Sequence, residues 1–311
     1  NKNFDYKHLP QTALASYASL GFGASLGPEA ALISLIGGLS SWISSILKRF
    51  TSLGELAFIS TSATVATLFG SPLGGAFLAS QSASKKQKNK LSLYIPAIIA
   101  GTVSFAIFRH FSNGGFFSFY FLPYNFSFGD LLPIVLISLV STLLGLVYLH
   151  INKITNYVSD HLKVNDITHG ILGGLVLGLL ALLSSFVLFS GHEGIQDLVT
   201  DISTFTGIAL IAIALLKLVA TSWLLSTGWK GGRFFPVMFA GAAFGLGLAI
   251  IAGINPMLGL GVGMSATLSA VLKKPIAAVL LLMFFFPVNM YVLAVCGALI
   301  GGAISNKVSK I

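Results

Sequence analysis

Charged residues are scarce in this chain. Asp, Glu, Lys and Arg make up 9% of it, where a soluble globular domain carries about a quarter. That deficit excludes a soluble packing. Acidic residues are the scarcer kind, 9 Asp and Glu against 18 Lys and Arg. Cysteine occurs once, as Cys296, so an intrachain disulfide is excluded and the residue reads as a small core member of an apolar run. Strand-like alternation is absent and the apolar runs are long, which excludes a membrane barrel. No basic segment with a cleavage site precedes the first apolar run, so no signal peptide is expected. Neither a short-period repeat nor a low-complexity tract is present. No Ser-His-Asp set, Cys-His pair or phosphate loop occurs, so an enzyme is not expected and no cofactor or metal is implied.

What is abundant is apolar sequence. The chain is 55% hydrophobic with a mean hydropathy of +0.90, the composition of an all-α, polytopic membrane protein. In a soluble protein the net charge of +9 would suggest nucleic acid. In a membrane chain Lys and Arg mark cytoplasmic loops instead, and no nucleic-acid partner is expected.

Apolar runs at 11–22 and 30–47 lead to Lys48-Arg49, and 56–84 is interrupted by Gly70-Ser71-Pro72. Each half of that interrupted run is short for a full span of about 20 residues, so the pair reads as a helical hairpin. The hairpin would return the chain to the side it left. Lys85, Lys86, Lys88 and Lys90 would then share the cytoplasmic side with Lys48 and Arg49. Spans follow at 91–111, 130–151, 170–189, 207–226, 237–253 and 257–272, then 275–304, split at Pro287. The 113–128 loop is expected outside the cell, as is a segment carrying His192, Glu193, Asp197 and Asp201.

Two breaks carry the chemistry. Gly21, Gly23 and Gly27 precede Pro28 and Glu29, and Gly228 to Gly232 precede Arg233, Phe234, Phe235 and Pro236. Proline suits the first turn of a helix, whose leading amides have no internal acceptor and carry partial positive charge. A helix start of that kind is an anion site. Interrupted helices at corresponding places in two halves point to the substrate site of an inverted-repeat transporter. Taken alone, glycines at such spacing are more often a helix-packing face. Two breaks together, each closed by a proline, favour the anion site.

Ser25-Leu-Gly-Pro-Glu29, the Gly70-Ser-Pro-Leu-Gly-Gly hairpin and Gly231-Gly-Arg-Phe-Phe-Pro236 resemble motifs of the CLC chloride channel and transporter family. Ser190-Gly-His-Glu-Gly194 and Lys274-Pro275 fit it as well, and the resemblance covers nearly all 311 residues. It implies an inverted-repeat helical fold, a homodimer, and one anion pathway per subunit. Main-chain amides of Arg233 and Phe234 would hold a central chloride-like anion, with amides near Leu26 and Gly27 above it. Ser25, Pro28, Gly232 and Pro236 would complete the site. The Arg233 side chain would either attract anions or point to the interface. The resemblance also implies one membrane domain over residues 1–311 that lacks flanking family elements at both ends.

Departures from the family pattern bear on mechanism. Leu26 stands where the family's gating glutamate sits, and Gln81-Ser82 where exchangers carry a proton-relay acid. Protons need titratable stations inside the membrane, and none of these side chains titrates at ordinary pH. A passive anion channel or uncoupled carrier is therefore expected, with a proton-coupled antiporter and a non-transporting scaffold as rivals. Glu29 has two readings, a displaced gate one turn beyond Leu26 or a first-turn acid complementing the helix dipole. The second is favoured, because a carboxylate at the pore would compete with the anion for the same amides.

The remaining features take plainer readings. His192, Glu193 and Asp197 contain one histidine, too few for a metal site, and read as a solvated loop. Trp223 and Trp229 read as interfacial anchors. Phe284 to Phe286 are expected to face lipid or a partner. The lysine-rich loops and the lack of sorting signals suggest a bacterial plasma (inner) membrane.

Overall fold

The computed structural model describes residues 8–46, 52–82, 91–112 and 120–308. It divides into two compact units, one of residues 1–17 and 29–118 and the other of residues 18–28 and 119–311. Among the described residues, seven helices are long and apolar enough to cross a membrane.

The first unit holds most of α1 (Leu9–Gly21), α2 (Glu29–Ile46), α3 (Leu53–Phe69), α4 (Pro72–Ser82) and α5 (Leu91–Phe111). Helix α3 opens on a capping box. The Glu55 amide donates to Ser52 Oγ and the Ser52 amide to the Glu55 carboxylate. Gly70, left-handed at φ 67, ends α3, and Ser71 Oγ accepts from the Gly74 amide to start α4. The expected hairpin is therefore present. Its helices pack closely, since a Cβ on Gly75 would lie 2.5 Å from the Ser62 carbonyl oxygen.

In the second unit come α6 (Leu131–His161), α7 (Asp166–Leu183), α8 (His192–Thr200) and α9 (Gly207–Ser226). After them follow α10 (Phe234–Ala252), α11 (Pro256–Leu272), α12 (Pro275–Leu282) and α13 (Tyr291–Val308). The core of this unit is α10 against α11, where the backbones touch. Gly245 faces the Gly259 carbonyl and Gly263 faces the Gly241 carbonyl, leaving no room for a Cβ at either place. Small residues let helices approach this closely where apolar burial gives no drive to associate. Hydroxyls then cross-link the bundle. Ser269 donates to Ala298 O at 2.6 Å, Ser305 to Ala270 O at 2.7 Å and Ser159 to Ser226 O at 2.8 Å. Each such bond inside a membrane contributes about 0.6–2 kcal/mol.

Several expectations are corrected. Residues 192–200 form a helix and not a solvated loop. Leu198 and Val199 lie one turn beyond Ile195 and all three are buried, so the segment has a core-facing stripe. Phe285 and Phe286 are buried, with the Phe286 ring edge-on to Phe121, and only Phe284 of that run is exposed. Cys296 is half-buried on α13 and is not a core residue. Trp223 and Trp229 donate their indole N–H groups to the Leu172 and Gly170 carbonyls, which fastens them to α7. Lys48, Arg49, residues 85–90 and residues 113–119 lie outside the described residues, as do the side chains of Gln81 and Ser82.

Candidate anion site

Both breaks lie in the second unit as irregular backbone, and they pair with each other. After α1, Gly23 takes φ 82, a conformation that costs glycine little. The Ala24 amide reaches back to Ser19 O, and the Leu26 amide to Ala24 O at 2.7 Å. After α9, Gly228 turns the chain and the Lys230 amide donates to Ser19 Oγ at 3.1 Å. Gly27 and Gly232 then exchange both backbone bonds, at 2.7 and 2.6 Å, in an isolated antiparallel bridge.

Beyond the bridge, Arg233 is the N-cap of α10 with φ −100, and no side chain caps that helix. Its leading amides are the donors such a helix start offers to an anion. The Gly27 and Gly232 amides are taken up by each other's carbonyls, so neither is a donor to a ligand. The Arg233 side chain is exposed, while Phe234 and Pro236 are buried.

Ser25 and Leu26 are both fully buried. Ser25 is fully buried and Thr221 Oγ1 lies 2.9 Å from its carbonyl oxygen and 3.3 Å from its hydroxyl. Leu26 is fully buried in an apolar cluster with Ala24, Leu177, Val187, Ala220 and Leu224. Pro28 closes the segment, and Glu29 begins α2 as a buried first-turn acid of the other unit.

One residue near the site escaped the sequence reading. Lys217 sits in the middle of α9 with none of its surface exposed, so the rule that places lysines in loops fails for it. Its signal was available, because it is the one charged residue in the 207–226 run.

His192 begins α8 beside the second break. Its ring stands 6.1 Å from that of Phe235, and its Nδ1 lies 2.7 Å from Ser190 Oγ. With Ser190, Glu193 and Asp197 it lines an open pocket of about 190 Å³. Burial lowers the His192 pKa from its ordinary value of 6.5; Glu193 opposes that shift and the Lys217 charge adds to it.

The family model described as voltage gated chloride channel matches residues 1–306. The chain belongs to the voltage gated chloride channel family. Chloride channel protein CLC-e of Arabidopsis thaliana is 26% identical over 301 residues, covering 86% of this chain and 42% of that protein. YfeO of Shigella flexneri is 28% identical over 244 residues, covering 76% of this chain and 57% of that protein. The chain thus spans about half the length of these curated relatives. A solved CLC-type fluoride/proton antiporter is 19% identical with a TM-score of 0.82, over 96% of this chain and 74% of that one. A slow cyanobacterial Cl−/H+ antiporter is 17% identical with a TM-score of 0.84, over 98% and 74%. These likenesses fix the fold as that of a multi-pass, all-α CLC protein.

Proposed function

We propose that this CLC-family protein is a passive pathway for chloride-like anions, a channel or uncoupled carrier, and not an enzyme. The anion is held by main-chain N–H groups at the start of α10, around Arg233 and Phe234, beside the Ser25–Pro28 segment. The observation that carries this reading is the Gly27–Gly232 bridge, which joins the two breaks directly ahead of an uncapped helix start. Neutral donors suit conduction, since they bind an anion firmly enough to select it and loosely enough to release it.

Proton-coupled exchange is the rival, and both solved neighbours are described as antiporters. Leu26 weighs against it. A buried leucine in an apolar cluster offers no titratable station at the place where the family gate sits. A homodimer in a plasma membrane, with chloride as the default anion, completes the proposal.

Liposome efflux with simultaneous chloride and pH recording tests it. Chloride release without stoichiometric proton movement is expected. Proton movement in fixed ratio to chloride overturns the passive reading, and purified protein that neither passes nor binds an anion points to a non-transporting scaffold.

A further inference from the structure

The Lys217 ammonium occupies a built cage. Its Nζ donates to the carbonyl oxygens of Phe186 at 2.9 Å, Val187 at 3.2 Å, Leu188 at 2.9 Å and Phe189 at 2.7 Å. The ring of Phe239 lies below it, 5.3 Å from Nζ to centroid. An ammonium has three protons, and four oxygens already share them. Lys217 therefore has no donor left for an anion, and among the described residues no carboxylate is paired with it. Burying an unpaired cation in an apolar span is costly, and here carbonyl dipoles take the place of a counter-charge.

Those carbonyls converge because the chain between α7 and α8 is bent into an unusual shape. Phe189 adopts φ 57, a left-handed conformation that an aromatic residue holds only when its surroundings impose it. Lys217 grips the Phe189 carbonyl by the shortest of its four bonds, and the Phe189 amide donates to Gly23 O at 2.9 Å. Gly23 opens the turn that runs on to the Gly27–Gly232 bridge. One turn along α9, Thr221 holds the Ser25 carbonyl directly. Helix α9 thus grips the first break twice, once by a hydroxyl and once by an ammonium acting through Phe189.

We propose that Lys217 is a positioning residue for the anion site: its ammonium clamps the Phe186–Phe189 carbonyls, holds the Gly23 turn through the Phe189 amide, and so sets the Gly27–Gly232 bridge. It acts on the backbone and does not touch the anion. The link to anions rests on the proposed function, whereas the clamp itself does not.

The test uses the full chain, purified and in liposomes, with Lys217→Met, which keeps the stem and removes the ammonium. Amide hydrogen exchange is followed without any anion ligand. Loss of a charge-assisted bond is expected to speed exchange across residues 18–27 and 186–191 by about ten-fold or more. In liposomes the chloride-to-nitrate flux ratio is expected to shift by about two-fold or more, the scale of a small displacement of selective donors. Plain loss of folded protein would lower both fluxes and leave their ratio unchanged.

Phe189→Gly supplies the second variant, because glycine takes φ 57 without the clamp. The pair Lys217→Met with Phe189→Gly is expected to regain slow exchange and the wild-type flux ratio. Unchanged exchange at 18–27 in Lys217→Met overturns the proposal, and so does an unchanged flux ratio in a conducting protein. If Lys217→Met yields no folded protein, the pair decides, since its failure to restore folding overturns the clamp. A wild-type protein that passes no anion removes the functional reading alone, because the exchange result is read independently.

Discussion

A Cβ placed on Gly231 would lie 2.5 Å from the Cβ of Leu26. The two breaks therefore meet by contact of one side chain on bare backbone as well as through the Gly27–Gly232 bonds. Gly231→Ala must push Leu26 back into its cluster, or part the breaks. Overpacking of this kind costs about 1–3 kcal/mol. A lower melting temperature in detergent is expected, with weaker halide binding by calorimetry. Leu26→Gly alone leaves a cavity costing at least the about 2–5 kcal/mol of a leucine-to-alanine change, but combined with Gly231→Ala it removes the Cβ that clashes. The double variant should therefore be more stable than the sum of the single losses, and strict additivity would show that the contact is not the source of strain.

His192 gives a pH dependence with a definite sign. Helix α8 is too short to span a membrane, and burial lowers the His192 pKa from 6.5. The folded state favours the neutral ring. Stability is therefore complete above the unfolded value of 6.5 and is lost as pH falls through the lower folded value. Melting temperature measured from pH 8 to 5 should decline in that acid window. His192→Gln keeps a partner for Ser190 and removes the titration, so its decline should be shallower. Equal slopes for the two proteins would assign the acid loss to other groups.

How far the sequence was legible depended on how local each signal was. The breaks at Gly27-Pro28 and Gly231–Pro236 were visible because glycine and proline act on their own backbone, and the hairpin at Gly70 likewise. Helix α8 was misread because Glu193, Asp197 and Asp201 made the segment look wet, although Ile195, Leu198 and Val199 set a helical period. The Phe284 to Phe286 run has no period at all, so its inward and outward members could not be sorted. The role of Lys217 was illegible for another reason. Its carbonyl partners lie 28 to 31 residues away, and backbone oxygens leave no trace in residue type.

Tyr124 anchors the loop before α6. Its hydroxyl donates to Asp130 Oδ2 at 2.9 Å, and the Ser127 amide donates to the same oxygen at 2.9 Å. The Tyr124 carbonyl accepts from Asn289 Nδ2 at 2.6 Å. Burial and the Asp130 bond both raise the phenol pKa, so it stays a donor throughout the neutral range. Tyr124→Phe removes a bond to a charged acceptor and is expected to cost about 1.5–3 kcal/mol. Denaturation in mild detergent should report that loss without a change in anion flux, because the Tyr124 hydrogen bonds run to Asp130 and Asn289.

Neutralising Glu29 is a test that separates passive flow from coupled exchange. It is buried at the first position of α2, where a carboxylate complements the helix dipole by about 0.3–1 kcal/mol. As a dipole partner, its neutral replacement Glu29→Gln should lower the melting temperature slightly and leave the pH response of chloride flux unaltered. A proton station behaves otherwise. Were Glu29 to carry protons, Glu29→Gln would flatten the pH response and release any fixed ratio between proton and chloride movement. Recording both ions from one liposome preparation distinguishes the two, because a merely destabilised protein loses flux at every pH in proportion. The restoring case is Leu26→Glu, which puts a carboxylate at the position that the sequence resemblance matches to the family's gating glutamate. If that variant alone gains pH-dependent flux, the native chain is passive because that place holds a hydrocarbon.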